Sequence, residues 1–257
     1  MNREARWRSA VPAALALGVL FGIWQLAVTA FRVPAYVLPT PTAILAAGVA
    51  HAGQIAQAAA MTTEAAVLGF LLATALGLVL ATVFAHSRWM RLSFYPLTIA
   101  VQTTPVVAVA PLIVLWAGNG LPSRILIAAM ITLFPLVVNT THGLTAVPAE
   151  ELALFQVYGA GRRRIYWHLR LPNSLPYLFA AMRIGATLAV IGTIVAEFIT
   201  GNGGLGYVIL ESSYQLETAL LFAALFAAAL LGIAFFLLVD AGSRLALRGG
   251  TAGPAGA

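Results

Sequence analysis

Long apolar runs separated by short polar segments make up most of this chain of 257 residues. A helix that crosses a bilayer needs about 20 consecutive, mostly apolar residues. The segments that meet this requirement lie within residues 9–31, 65–87, 92–123, 125–149, 176–200 and 218–239. The run 92–123 is too long for one straight helix, so part of it is expected to form a turn. The pattern therefore predicts an all-α, polytopic membrane helical bundle of about six transmembrane helices.

The distribution of arginines predicts the orientation of these helices. If the N-terminus is inside, eleven arginines fall in cytoplasmic segments, Arg183 lies near the inner end of the fifth span, and only Arg32 and Arg124 fall outside. Membrane proteins carry such an excess of basic residues on the cytoplasmic side. Both termini and the loop 150–176 are therefore expected in the cytoplasm. The net charge of +6 follows from this topology and does not indicate a nucleic-acid partner.

Composition limits the chemistry that this chain can carry. Hydrophobic residues make up 61% of it and charged residues only 9%, against about 25% in a soluble domain. Every basic residue other than histidine is arginine, so the chain lacks the lysine of a Walker A nucleotide site. Its energy source must be another chain or a gradient. There is no cysteine, and the four histidines are not at metal-ligand spacing, so we expect no metal site.

The loop 150–176 has a helical pattern of its own. Glu150 and Glu151 follow a proline at a predicted helix start, where carboxylates are favourable. An apolar stripe of Leu152, Phe155 and Tyr158 predicts an amphipathic first helix. Gly159 can take the left-handed conformation that ends a helix. A second short helix is expected from about 161 to 170, ended by the dipeptide Leu171-Pro172.

The spacing in this loop resembles the "EAA" loop of bacterial ABC importer permeases. That pattern is Glu-Ala-Ala, three residues, Gly, nine residues, Ile, one residue, Leu-Pro. Gly159 and Leu171-Pro172 fall in register, whereas Ala153-Leu154-Phe155 replace the acidic tripeptide. Two further stretches, 111–118 and 204–207, resemble the taurine, sulfonate, nitrate and thiamine-precursor group of this family. The chain is thus similar to the transmembrane subunit of a type I importer.

The resemblance implies a MetI-like type I permease fold in the bacterial inner membrane. It also implies a permease homodimer in the lipid bilayer, a separate ABC ATPase that holds ATP and Mg, and an extracytoplasmic solute-binding protein. No cofactor is expected on this chain, which would be a transport subunit and not an enzyme. The expected solute is a pyrimidine or vitamin precursor, or an anion of the sulfonate or nitrate type. The alternative is a secondary transporter or channel that is not driven by ATP.

The same resemblance assigns residues of the loop to ATPase coupling. They are Glu150, Glu151, Phe155, Tyr158, Gly159, Arg162, Arg163, Leu171 and Pro172. For Arg162, Arg163 and the adjacent Arg164 there is a second interpretation, in which they set the topology and face anionic headgroups.

Polar residues within the spans are candidates for a translocation pathway. They are Gln102, Thr103, Thr104, Asn139 and Glu197. Both threonines precede Pro105 and could equally satisfy the carbonyls that a proline frees, and Asn139 could cap its helix end. Glu197 is expected to be either a gate residue or a water-exposed interfacial carboxylate. Arg183 is about 21 Å away along the helix and cannot pair with it.

The predicted organisation has three parts. Residues 1–60 form an uncleaved N-terminal anchor helix and an external segment, and residues 61–240 form a permease core of five transmembrane helices with a coupling loop at about 147–176. Residues 241–257 are expected to be a disordered tail. Within the core, Gly69, Ala73 and Gly77 predict a close helix contact. The similar pair Gly18 and Gly22 could reflect chance in a glycine-rich chain.

Overall fold

The computed structural model describes residues 3–248, and within this range every regular element is helical. The all-α prediction is therefore confirmed. The elements are α1 (Arg3–Ala30), α2 (Pro41–Ala50), α3 (Ala52–His86), α4 (Arg88–Thr103), α5 (Val106–Ala117), α6 (Leu121–Thr145), α7 (Ala149–Val157), α8 (Arg162–Ile165), a π-helical turn (Tyr166–Arg170), α9 (Leu171–Thr200), α10 (Leu205–Tyr214) and α11 (Thr218–Arg248).

Four stretches in residues 3–248 are long and apolar enough to cross a membrane. They are Ala52–His86, Leu121–Thr145, Arg162–Thr200 and Thr218–Leu247. They correspond to the second, fourth, fifth and sixth predicted spans. The first predicted span lies in α1, and the third is divided into α4 and α5, with the break at Thr104 and Pro105. Pro105 has no N–H to continue the helix, which accounts for this break.

The centre of the bundle is formed by α3, α6 and α9, which pack closely through small residues. A Cβ atom added to Gly69 would lie 2.7 Å from Ala128 Cβ, and one added to Gly77 would lie 2.9 Å from Leu136 Cβ. Ala73, between them on the same face, is fully buried. The predicted contact face of α3 is therefore confirmed, because only residues this small let the two helices approach so closely.

The pair Gly18 and Gly22 behaves differently. Both are exposed, and an added Cβ at either would meet no described atom within 4 Å. Within residues 3–248 this part of α1 thus makes no close helix contact through its glycines, and the structure offers no packing reason for the pattern.

Two predicted boundaries fall inside helices of the structure. The division between residues 60 and 61 falls inside α3, which runs unbroken from Ala52 to His86 because no proline or left-handed glycine interrupts it. The expected tail from 241 is helical as far as Arg248, while residues 249–257 lie outside the described range. Asp240 stabilises this extension through ion pairs with Arg183 at 2.9 Å and with Arg244 at 2.7 Å.

The second helix of the 149–171 hairpin also differs from the prediction. Leu171-Pro172 does not end it, since the chain continues through a π-helical turn into α9. In that turn the Leu171 N–H donates to the carbonyl oxygen of Tyr166, five residues earlier. Pro172, which has no N–H to donate, lies in the first turn of α9, where a proline costs little. The hairpin and the membrane helix therefore form one continuous body.

Candidate functional site

The bend of the 149–171 hairpin is formed by Gly159. Its φ is +71°, and its N–H donates to the carbonyl of Gln156 at 2.9 Å. The Ala160 N–H donates to the carbonyl of Phe155, also at 2.9 Å. This pair of bonds is a Schellman motif, which satisfies the last carbonyls of α7 and turns the chain sharply. The predicted left-handed stop at Gly159 is confirmed.

Helix α7 presents an apolar surface that the rest of the chain does not cover. Among the described residues 149–157, none is buried. Leu154, Val157 and the adjacent Tyr158 are 55%, 83% and 79% exposed, whereas Leu152 and Phe155 are half-buried. Tyr158 therefore does not share the covered stripe expected for it, because the Schellman bend turns it outward. We call Leu154, Val157 and Tyr158 the α7 apolar surface.

The flanking charged residues of the hairpin are also exposed. Glu150 and Glu151 lie in the first turn of α7, near the positive end of the helix. Across the bend, the side chains of Arg162, Arg163 and Arg164 are exposed, and none forms an ion pair with another residue in the described range. The hairpin thus combines an uncovered apolar surface with uncovered positive charge.

The second helix of the hairpin is fixed to the bundle. Ile165 and Leu169 are buried, and the Tyr166 hydroxyl lies 2.8 Å from Thr82 Oγ1 near the end of α3. Arg170 Nη1 donates to the carbonyl of Ala85 at 3.0 Å. The two end residues of the motif, Leu171 and Pro172, are half-buried and exposed, respectively. Movement of the hairpin would therefore be transmitted both to α3 and along α9.

Gln102 borders a cavity that lies between α3, α4 and α6. The cavity has a volume of about 310 Å³. Its lining residues are Leu80, Val83, Phe84, Met90, Phe94, Leu97, Thr98, Gln102, Met130, Leu133, Phe134 and Val137. None of these side chains is charged, three are phenylalanines, and Gln102 supplies the amide. The candidate pathway residue therefore lies beside an aromatic, uncharged space.

The two threonines before Pro105 bond to their own helix. Thr103 Oγ1 and Thr104 Oγ1 each donate to the carbonyl of Ala100 at 2.9 Å. A proline in a membrane helix frees backbone carbonyls, and neighbouring hydroxyls can satisfy them. The contacts favour this role for the threonines over contact with a solute.

Asn139 borders a second and larger cavity of about 620 Å³ between α4 and α6. Arg91, Thr141 and His142 line the same cavity. Asn139 Nδ2 donates to the carbonyl of Pro135 at 2.8 Å, so part of its hydrogen-bonding capacity is used within α6. Asn139 therefore lines this cavity and does not cap the end of α6.

Glu197 is not exposed to water. Its side chain is completely buried, and Thr62 Oγ1 lies 2.8 Å from Oε1. The Gly206 N–H donates to Oε2 at 2.8 Å. The expectation of an interfacial carboxylate is therefore wrong, because α3 and the start of α10 close over this side chain. Thr62 was missed in the sequence, where nothing distinguishes it from other helical threonines.

Two buried charges have partners that were missed in the sequence. Arg124, counted as an external charge, is only 4% exposed and donates to Asn202 Oδ1. Asp240 is the partner of Arg183. The pairing of Asp240 with Arg183 could have been predicted from the sequence, because Asp240 follows the sixth span and Arg183 lies near the same end of the fifth. Within residues 3–248 no group of three His, Cys, Asp or Glu side chains could hold a metal ion.

Comparison with known proteins gives a consistent result. Residues 65–248 match the sequence model of the family described as "Binding-protein-dependent transport system inner membrane component". A riboflavin transport system permease protein from Chloroflexus aurantiacus is 38% identical over 93% of this chain and 89% of its own length. A formylaminopyrimidine transport permease protein from Halalkalibacterium halodurans is 33% identical over 85% and 87%, respectively. An aliphatic sulfonates transport permease protein of Bacillus subtilis, itself described as putative, is 32% identical over 83% and 78%.

Proposed function

Because the chain belongs to the family of binding-protein-dependent transport system inner membrane components, we propose that it forms the solute pathway of an importer driven by a separate ABC ATPase. Two copies of the chain would enclose the pathway in the bacterial inner membrane. A solute-binding protein would deliver the solute from outside, and the 149–171 hairpin would dock on the ATPase in the cytoplasm.

The uncovered α7 apolar surface is the observation that carries this proposal. Fully burying an apolar side chain of this size is worth about 1.5–3 kcal/mol. Tyrosine and arginine are the residue types most often found at the energetic centre of protein interfaces. The hairpin offers Tyr158 with three exposed arginines beside it. A groove with apolar walls and an acidic rim on the ATPase would satisfy both features.

The attachment of the hairpin supports a mechanical role. Arg170 and Tyr166 fix it to the end of α3, and the π-helical turn joins it directly to α9. When the ATPase subunits close on ATP, the docked hairpins would move with them and carry α3 and α9 as rigid bodies. Such a movement switches a pathway between two states, one open to each side.

For the solute we propose a planar, uncharged heterocycle related to pyrimidines or flavins. The cavity beside Gln102 has three phenylalanines on which such a ring could stack and one amide that could bond to its edge. Two of the relatives above are named for riboflavin and formylaminopyrimidine transport. A sulfonate or nitrate anion is the competing class, because Arg91 lies in the larger cavity.

The test is uptake by proteoliposomes that contain this chain, its ATPase and its binding protein. Accumulation of a radiolabelled pyrimidine or flavin should require ATP hydrolysis, and unlabelled heterocycles should compete whereas taurine and nitrate should not. A Gln102→Leu variant should lower uptake, while Leu80→Met, in the same cavity wall, should not. Uptake driven by an ion gradient without any nucleotide would contradict the proposal and support the secondary transporter or channel.

A further inference from the structure

The start of α10 is capped by side chains from two other helices. The first N–H groups of a helix have no partner within it. Here the Leu205 N–H donates to Thr62 Oγ1 of α3 at 2.8 Å, and the Gly206 N–H donates to Glu197 Oε2 of α9 at 2.8 Å. Thr62 in turn contacts Glu197 Oε1 at 2.8 Å. One buried carboxylate and one buried hydroxyl thus join three helices at a single point.

The glycines of the turn 201–206 leave room for this carboxylate. Gly204 has a φ of +90°, and a Cβ atom there would overlap the Glu197 carboxylate. A Cβ on Gly206 would lie 2.6 Å from the carbonyl oxygen of Ile194 and 2.8 Å from Glu197 Cβ. The backbone therefore approaches the carboxylate more closely than any other residue type would permit, which explains why this turn is rich in glycine.

The same turn is bonded to the turn between α5 and α6. Asn119 Nδ2 donates to the carbonyl of Thr200 at 3.0 Å, and Asn202 Nδ2 donates to the carbonyl of Asn119 at 3.2 Å. Arg124, on the first turn of α6, is buried and donates to Asn202 Oδ1. A buried base thus bonds the turn 201–206 to the start of α6, and a buried acid caps the helix that follows this turn.

We propose that Glu197 is a positioning residue for transport, which caps α10 and so fixes the end of the turn 201–206. The hydrogen bonds of Asn119 with Thr200 and Asn202 join this turn to the turn 118–120 as one rigid unit. Its side chain is completely buried and bonded to Thr62 and Gly206, so it acts through the backbone that it holds and not by contact with the solute. This end of the bundle is the one predicted to face outward. The pathway would then open toward that side by separation of two copies of the chain, and not by separation of these two turns within one copy.

Hydrogen exchange followed by mass spectrometry tests the cap directly, and it needs no transport activity. Removing the partner of a buried polar group typically destabilises the local structure enough to raise amide exchange roughly tenfold or more. Glu197→Ala and Thr62→Val should do so in the peptide that contains the start of α10, residues 204–208. Glu197→Gln and Thr62→Ser, which keep an acceptor at each position, should restore most of the protection. Exchange in α2 should stay unchanged in all four variants.

Two results would overturn the cap. Exchange at 204–208 that stays the same in both Glu197→Ala and Thr62→Val would show that these side chains do not hold α10. Exchange that rises equally in α2 and α10 would show a general loss of stability and no positioning role.

The rigid unit has its own test, which rests on the proposed importer function. The chain has no cysteine, so Asn119→Cys and Asn202→Cys can be joined by a short bifunctional thiol reagent and released by reductant. The unlinked double variant lacks the hydrogen bonds between the turns, so its uptake in the reconstituted importer should fall, and linking should restore uptake to within twofold of the unsubstituted chain. The two single variants are the controls. Uptake that stops on linking and returns on reduction, or a pair that cannot be linked, would contradict a rigid unit. Absence of ATP-driven uptake in the unsubstituted chain would instead contradict the importer function and leave the exchange result standing.

Discussion

A single methyl group can test whether the bend of the hairpin is needed for docking. Gly159 has a φ of +71°, whereas Gly161, two residues later in the same hairpin, has a φ of −69°. At both positions an added Cβ would meet no described atom within 4 Å. Steric crowding is thus equal at the two sites, and any difference between Gly159→Ala and Gly161→Ala reports the backbone conformation alone.

The two substitutions are expected to change the stability of the folded state in opposite directions. An L-residue held in the left-handed region costs roughly 1–2 kcal/mol. Alanine in place of a glycine with ordinary backbone angles stabilises a chain by about 0.4–1 kcal/mol, because the unfolded state loses freedom. If only the native bend docks, Gly159→Ala should weaken ATPase binding by roughly 5- to 30-fold, since about 1.4 kcal/mol corresponds to a factor of ten. Gly161→Ala should bind as well as the unsubstituted chain.

The assay is binding of purified ATPase to the permease in lipid nanodiscs, measured by interferometry, with uptake followed in parallel. Equal helix content of the two variants by circular dichroism shows that both are folded. Equal affinity for the ATPase in both variants would refute the reasoning, because it would mean that docking does not depend on the left-handed bend.

Two further predictions concern stability in detergent. Gly69→Ala should lower Tm by roughly 3–10 °C, because the new Cβ would lie 2.7 Å from Ala128 Cβ and 3.0 Å from a backbone oxygen, and such overpacking costs about 1–3 kcal/mol. Gly22→Ala, which has open space, is the control, and an equal loss in both would argue against a close contact of α3 with α6. Arg183→Ala should lower Tm more than Arg244→Ala, because both pair with Asp240 but their side chains are 35% and 71% exposed. A larger loss for Arg244→Ala in thermal melts would contradict this ranking.

The parts of the fold that follow from local patterns could be predicted from the sequence. Apolar runs locate the long helices because their length is set by the bilayer. Gly159 identifies a bend, and the spacing of Gly69, Ala73 and Gly77 identifies a packing face, because both depend on neighbouring residues of one helix. Helix ends were less predictable. The dipeptide Leu171-Pro172 predicts the end of a helix, yet the chain remains helical there, because a π-helical turn leads directly into α9.

The buried polar contacts could not be predicted, because they join residues far apart in the sequence. Glu197 and Thr62 are 135 positions apart. From the sequence alone, a carboxylate near the end of a membrane span is expected to contact water. Arg124 is likewise expected from the sequence to be an exposed external charge, whereas in the structure its guanidinium donates to Asn202. Sequence identifies these residues as unusual, while their partners emerge only from the packing of α3, α6 and α9.

Cross-linking from the α7 apolar surface tests the central claim most directly. Val157 and Val49 are 83% and 79% exposed, in α7 and in α2 respectively, and the chain has no cysteine of its own. A single cysteine at either position can therefore carry a short photoactivatable cross-linker in the assembled complex. We expect a covalent adduct with the ATPase from Val157→Cys and none from Val49→Cys. No adduct from position 157, or equal adducts from both positions, would contradict it.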